Sequence, residues 1–183
     1  MWKLLATGLI AVLLRAEIVD RLAIVVGHQS ITELQLDEEL RITAFLNNQP
    51  ISRTQEVRRA AADRLVEQLL LKREMELNRY RQSDSKDLNA YLEELQSTDG
   101  GPDRFRQLLR DYNLSENALK DHLQLQLAIL RFVEYRFRSG STATLKESIG
   151  QKIRNEQSDE ALAAWLEEAR KQVNIVYIDK SLR

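Results

Sequence analysis

"DRLAIVVGHQSITELQLDEEL" (residues 20–40) passes from one periodicity to another, and the fold turns on how its first part is satisfied. Val19 to Val26 brings together Leu22, Ala23, Ile24, Val25 and Val26, β-branched and apolar on both faces, which predicts a buried strand. Gly27-His28 is a turn, because glycine tolerates positive φ. Thr32 is a good helix N-cap, and Gln35 three residues on completes a Thr-x-x-Gln capping box. The helix that follows aligns Leu36, Leu40 and Ala44, widened by Phe45. It stops at "NNQP", where Pro50 drives the preceding residue out of helical geometry. A lone buried strand leaves its backbone groups unpaired, so a partner must lie elsewhere in the chain.

From Pro50 onward the pattern is helical almost to the end. A long helix over about Thr54–Tyr80 carries Ala62, Val66, Leu69, Leu70, Arg73 and Leu77 at helical spacing, widened by Leu65, Leu71 and Met75, so it should be central. After the polar break "RQSDSKD", Leu88, Tyr91, Leu92 and Leu95 mark a short helix that stops at "TDGGP". Phe105, Leu108, Leu109 and Tyr112 mark another. Ser115 should cap a long helix to about Arg138 that buries Leu119, Leu123, Ile129, Leu130, Val133 and Phe137. "SGSTAT" reads as a linker, followed by a polar helix around residues 144–156. A last helix, predicted to be capped by Ser158, sets Leu162, Trp165, Leu166 and Ala169 on one face. "VNIVYID" then alternates, with Val173, Ile175 and Tyr177 on one side and Val176 and Ile178 on the other. These are the two strong strand signals, about 150 residues apart. Their simplest arrangement is with each other, closing the helices into one module. The expected class is mainly α with a small β element that joins the chain's two ends, and cutting before Val173 should destabilise the N-terminal half.

Composition agrees with this class. The 183 residues include only 6 Gly and 2 Pro, and Leu, Ala, Glu, Gln and Arg, all good helix formers, predominate. The net charge is −1, from 27 basic and 28 acidic residues, which gives no basic footprint for nucleic acid. Arg58, Arg59 and Arg64 lie among Glu56, Asp63 and Glu67 and are expected to form a solvated helix face. The absence of cysteine excludes disulfides, thiolate catalysis and cysteine-ligated zinc.

The chain opens with "MWKLLATGLIAVLLRAE", in which Lys3 precedes an apolar run from Leu4 to Leu14. That run is shorter than the roughly 20 residues a spanning helix needs but suits a secretory signal. Ala16 supplies a small residue before Glu17, although Leu14 and Arg15 make the cleavage site imperfect. The alternative is a buried or amphipathic helix, but apart from Lys3 no polar face exists before Arg15. Residues 1–16 are therefore assigned as a signal peptide, with no stable membrane insertion once it is removed. The mature chain would keep 25 basic and 28 acidic residues.

No catalytic constellation is legible. His28 sits in a turn and His122 on a helix, neither beside a metal-ligand motif, and His122 reads as a boundary residue. No nucleophile elbow or phosphate loop is present. The expectation is a non-enzyme with no metal and no cofactor.

The order of these segments resembles the SurA-type periplasmic chaperones. "EIVDRLAIVVGHQSITELQLDEELR" is similar to the strand–turn–helix, "VDRIVAVVN…VIT", that follows the signal peptide in that family. "AAADRLVEQLLLKREME" resembles its central helix, and "RFRQLLRDYNLSENALKDHLQLQLAILRFVEYRF" its later helices. "ALAAWLEEARKQVNIVYID" resembles the closing helix and strand. The likeness is collinear over most of residues 17–183, carried by order rather than by one motif. Family members usually insert parvulin-type prolyl isomerase domains before the closing segment; "SGSTATLKESIGQKIRNEQS" is far too short to be one.

The resemblance thus implies the chaperone part alone. Residues 17–138 would be the main helical part, 139–157 a linker and polar helix in place of the insertion, and 158–183 the closing helix and strand. The implied function is an ATP-independent periplasmic holdase binding unfolded outer-membrane polypeptides; the alternative is a non-catalytic adaptor for one envelope partner. Leu88, Tyr91, Leu92, Leu95, Phe105, Leu108, Leu109 and Tyr112 are candidate client-binding residues, with core closure as the competing role. Replacing Tyr91 and Phe105 with Ser is expected to weaken client binding while preserving the helices.

Overall fold

In a computed structural model of the protein, which describes residues 20–80, 85–137 and 156–183, the apolar strand is paired along both edges. β1 (Leu22–Val26) lies at the centre of a three-stranded antiparallel sheet, between β2 (Gln29–Thr32) and β3 (Ile175–Tyr177). The expected partner is present: Ile24, Val25 and Val26 face Tyr177, Val176 and Ile175. The pairing continues past both ends of β3. Gly27 N–H donates to Asn174 C=O at 2.9 Å, and Ile178 N–H donates to Ala23 C=O at 2.8 Å.

β2 was not expected. "QSIT" is short and mostly polar, and only Ile31 is buried, so it carries no strand signal of its own; it forms because Gly27-His28 is a two-residue hairpin turn rather than a lead into a helix. Gly27 has φ +61°, and a Cβ there would meet Val173 Cγ1 at 3.3 Å, so this position favours glycine twice over. The register slips between Leu22 and Ile24, a bulge at Ala23.

Thr32 ends β2 and caps α1 (Glu33–Leu46) with no loop between. Both halves of the capping box form: Gln35 N–H donates to Thr32 Oγ1 at 3.3 Å, and Thr32 N–H donates to Gln35 Oε1 at 2.9 Å. α2 (Gln55–Leu77) is central as predicted, burying Ala61, Ala62, Val66, Leu70, Leu71 and Met75, although Leu77 at its last turn is exposed. α3 (Ser85–Thr98) and α4 (Pro102–Asp111) meet at the "TDGGP" turn, where Gly100 and Gly101 take φ +88° and +97°. Ser115 caps α5 (Glu116–Phe137), its Oγ accepting from Ala118 N–H at 3.0 Å. α6 (Glu156–Gln172) begins two residues before Ser158, which therefore lies inside the first turn and is not the cap expected from the sequence. The signal peptide, the "SGSTAT" linker and nearly all of the polar helix around 144–156 lie outside the described residues.

The fold is mainly α with a small sheet, six α-helices among the described residues, and its apolar side chains gather in three clusters. The first joins the sheet to α1 and α2 and includes Leu182 from a terminal 3₁₀ turn (Lys180–Leu182). The second joins α3, α4 and the start of α5 to Ile42 and Phe45 of α1. The third joins the far ends of α2 and α5 to α6.

Polar contacts tie the closing segment to α2. Arg58 reaches Glu33 Oε2 at 2.9 Å and Asp179 Oδ2 at 2.8 Å. Arg170 reaches Glu67 at 3.0 Å, and the Tyr177 hydroxyl donates to Asp63 Oδ1 at 3.2 Å. This corrects the reading of Arg58 and Arg64 as a solvated face. Arg58 is mostly covered and bridges α1 to the C-terminus, and Arg64 pairs with a buried carboxylate.

Candidate functional site: an apolar cleft over a buried Glu–Arg–His cluster

Helix α1 places Glu39 on its apolar face, one position before Leu40 and three after Leu36. The residue is 4% exposed and is the only buried charged side chain among the described residues. A carboxylate taken out of water is costly unless it is paired and hydrogen-bonded. Here the partners come from three helices. Arg64 of α2 donates from Nε to Oε1 at 2.9 Å, and Thr43 of α1 donates its hydroxyl to the same oxygen at 3.3 Å. Arg64 Nη2 also donates to Thr43 Oγ1 at 3.2 Å. From α5, His122 sets Nδ1 3.4 Å from the other oxygen, Oε2.

His122 is 13% exposed at its side chain. Burial pushes its pKa below the ordinary value, with Arg64 adding to that effect against the opposing pull of Glu39 and Glu38. The imidazole is therefore neutral at pH 7. The sequence placed His122 at a boundary, which agrees with its burial, but gave no sign that Glu39 would meet it across 83 positions. A weak signal existed: each is a polar residue on an otherwise apolar helical stripe. The pair does not make a metal site, because Glu39 is shared with a guanidinium, and no group of three or more potential ligands occurs among the described residues.

Beside this cluster lies a cleft of about 370 Å³ between α1, α2 and α5, lined also by Ser30 and Ile31 of β2. Its apolar lining comes from Ile31, Ile42, Leu65, Leu69 and Leu125. These side chains come from all three clusters: Ile31, Leu65 and Leu69 from the first, Ile42 from the second and Leu125 from the third. The cleft is thus the junction of the three cores, left open to solvent. Glu38, Gln68, Lys72 and Asp121 are among the polar and charged groups that also line it.

The eight residues proposed for client binding are brought together, but not around this cleft. Leu88, Leu92, Phe105 and Leu109 are buried in the second cluster, while Tyr91, Leu95, Leu108 and Tyr112 are half-buried against it. Phe45 stacks edge-on against Phe105 at 5.9 Å and Tyr112 at 5.6 Å, so the aromatics of α4 lock onto the end of α1. Phe105 is 1% exposed, which corrects the expectation that Phe105→Ser leaves the helices intact. The residues lining the cleft were instead assigned from sequence to the core. They are apolar and at helical spacing, and sequence does not reveal where three cores fail to close.

A further apolar patch lies outside the cleft. Leu22, Val176 and Ile178 are 47%, 38% and 48% exposed on the sheet. No described helix is long and apolar enough to cross a membrane. No family model matches the chain, and no curated protein matches it.

Proposed function

We propose that the protein is an ATP-independent holdase of the periplasm that shields apolar segments of unfolded outer-membrane polypeptides, receiving them in the cleft between α1, α2 and α5. One observation carries this reading: an open apolar junction of about 370 Å³ with a charged rim. An apolar recess rimmed by polar groups suits reversible capture of an extended chain, because it gains from burial while the rim stays hydrated. Leu65, Leu69 and Leu125 are only partly covered, so they can gain burial on binding. The resemblance of the ordered segments to SurA-type chaperones supports the same assignment, including export, and the stretch between α5 and α6 is too short in sequence to hold an isomerase domain, which favours holding over catalysis.

The test is suppression of aggregation of several urea-unfolded barrel proteins by the wild type and by Leu69→Gln. Leu77→Gln, at a site 69% exposed outside the cleft, serves as the control. Loss of suppression in Leu69→Gln alone, with the helical signal unchanged, supports the cleft. Equal suppression by all three proteins refutes it.

The alternative, an adaptor for one envelope partner, is favoured by the exposed Leu22, Val176 and Ile178 around the sheet. It predicts one tight partner in a pull-down, lost in Val176→Ser/Ile178→Ser, and no general suppression of aggregation.

A further inference from the structure

We propose that the cleft selects apolar segments that carry a lysine or an arginine, the cation being received by Glu38 of α1 and Asp121 of α5. That the occupant is an unfolded client segment rests on the holdase reading above; the charge preference is a separate claim about the same cleft.

The lining holds more open negative charge than positive. Glu38, Glu39, Lys72 and Asp121 all border the cleft. Glu39 is already matched, because Arg64 donates to it at 2.9 Å. Glu38 and Asp121 are not: neither side chain makes a hydrogen bond or an ion pair among the described residues, and neither does Lys72. Two open carboxylates therefore stand against one open ammonium.

Their placement beside apolar side chains gives that excess its effect. Glu38 lies one turn from Ile42 on α1, and Asp121 one turn from Leu125 on α5, a spacing that sets each carboxylate about 6 Å from an apolar lining residue. Lys72 stands in a similar relation to Leu69, but it is exposed on a long flexible stem, whereas Glu38 is half-buried. The carboxylate is less screened by water and weighs more on an occupant than an ammonium that can swing into solvent.

The chemistry of the occupant follows. An uncharged apolar segment seated here strips water from Glu38 and returns nothing for it. An acidic segment adds repulsion. Lysine and arginine avoid both costs: the methylene stem extends the apolar contact along Ile42 or Leu125 while the charged head reaches a carboxylate.

The test measures binding of three labelled peptides to the full chain by fluorescence anisotropy. The peptides share one Leu- and Val-rich sequence with uncharged polar ends and differ only at a central position, which is Lys, Gln or Glu. Affinity should rank Lys, then Gln, then Glu, with roughly fivefold between the first and the last. Raising the salt to about 0.5 M should bring that ratio toward one. Glu38→Gln/Asp121→Asn, checked for an unchanged helical signal, should lose the ranking, and Lys72→Gln should widen it.

A flat or reversed ranking overturns the inference, as does a ranking that survives in the double variant or ignores salt. The salt series needs no variant and decides even where a substitution disturbs the fold. Failure of the holdase reading looks different. A flat ranking with binding lost in Leu69→Gln overturns the charge preference alone. Absence of binding to all three peptides, or binding untouched by Leu69→Gln, overturns the cleft as a client site and the preference with it.

Discussion

Replacing Leu182 with Ala, one residue from the end of the chain, should destabilise the whole module. Terminal residues usually tolerate truncation because little packs on them. Leu182 is an exception: it is 1% exposed and belongs to the cluster that joins the sheet to α1 and α2. Its 3₁₀ turn is fixed by Asp179, whose carboxylate accepts from Ser181 N–H at 2.8 Å and the Ser181 hydroxyl at 2.7 Å. The site is therefore held in place and cannot collapse freely around a smaller side chain.

Leu→Ala at such a position costs about 2–5 kcal/mol, the lost transfer energy plus a cavity term. For a chain of this size, each kcal/mol lowers the melting temperature by about 2–4 °C, which gives a fall of roughly 4–20 °C. Thermal unfolding followed by far-UV circular dichroism reads this directly. Ile178→Ala, four residues earlier and 48% exposed, is the internal control and should shift the midpoint far less. A Leu182→Ala protein that melts with wild type would show that the C-terminal segment is not part of the core, and the clasp would be wrong.

Gly27→Ala should cost about 1–2 kcal/mol in urea unfolding, because it places a Cβ at φ +61° and 3.3 Å from Val173; a neutral effect would argue against the hairpin turn. Phe105→Ser should unfold the α3–α4 end, at a cost near the 3–5 kcal/mol of Phe truncations, while half-buried Tyr91→Ser keeps its helical signal. Native-like dichroism for Phe105→Ser would return that residue to the candidate surface. Asp179 has a pKa lowered to about 2, first by the Ser181 backbone N–H and then by the Ser181 hydroxyl and Arg58. Its contribution is complete above the ordinary 3.8 and is lost as pH falls through about 2. The side chain is half-buried, 22% exposed, and its ion pair lies near solvent, so the loss should be on the order of 1 kcal/mol, and Asp179→Asn should flatten that part of the acid unfolding curve.

The clasp was legible because β1 and β3 are both short apolar runs that cannot be left unpaired, and each is the other's nearest match in character. The capping box at Thr32 and the stop at Pro50 are local signals, and both formed where local rules put them. β2 was hidden because "QSIT" has one inward apolar side chain; its pairing is imposed by Gly27 and by the exposed edge of β1. Arg58 and Arg64 misled for another reason. Charge spacing along one helix says that carboxylates are near but not that Glu33, Glu39 and Asp179 arrive from elsewhere. The cleft was the least legible feature. Leu65, Leu69 and Leu125 carry the same helical pattern as the buried residues beside them, and their exposure depends on how α1, α2 and α5 diverge, a tertiary property with no local signature.

The central claim is that unfolded chains are held in that cleft. A photo-crosslinking side chain introduced at Leu69, with Leu77 as the control position, tests it most directly when each protein is mixed with an unfolded outer-membrane barrel protein and illuminated. The account predicts strong client adducts from position 69, few from position 77, and loss of the adducts once the client has folded. Equal labelling at both positions, or labelling at 77 alone, would contradict it.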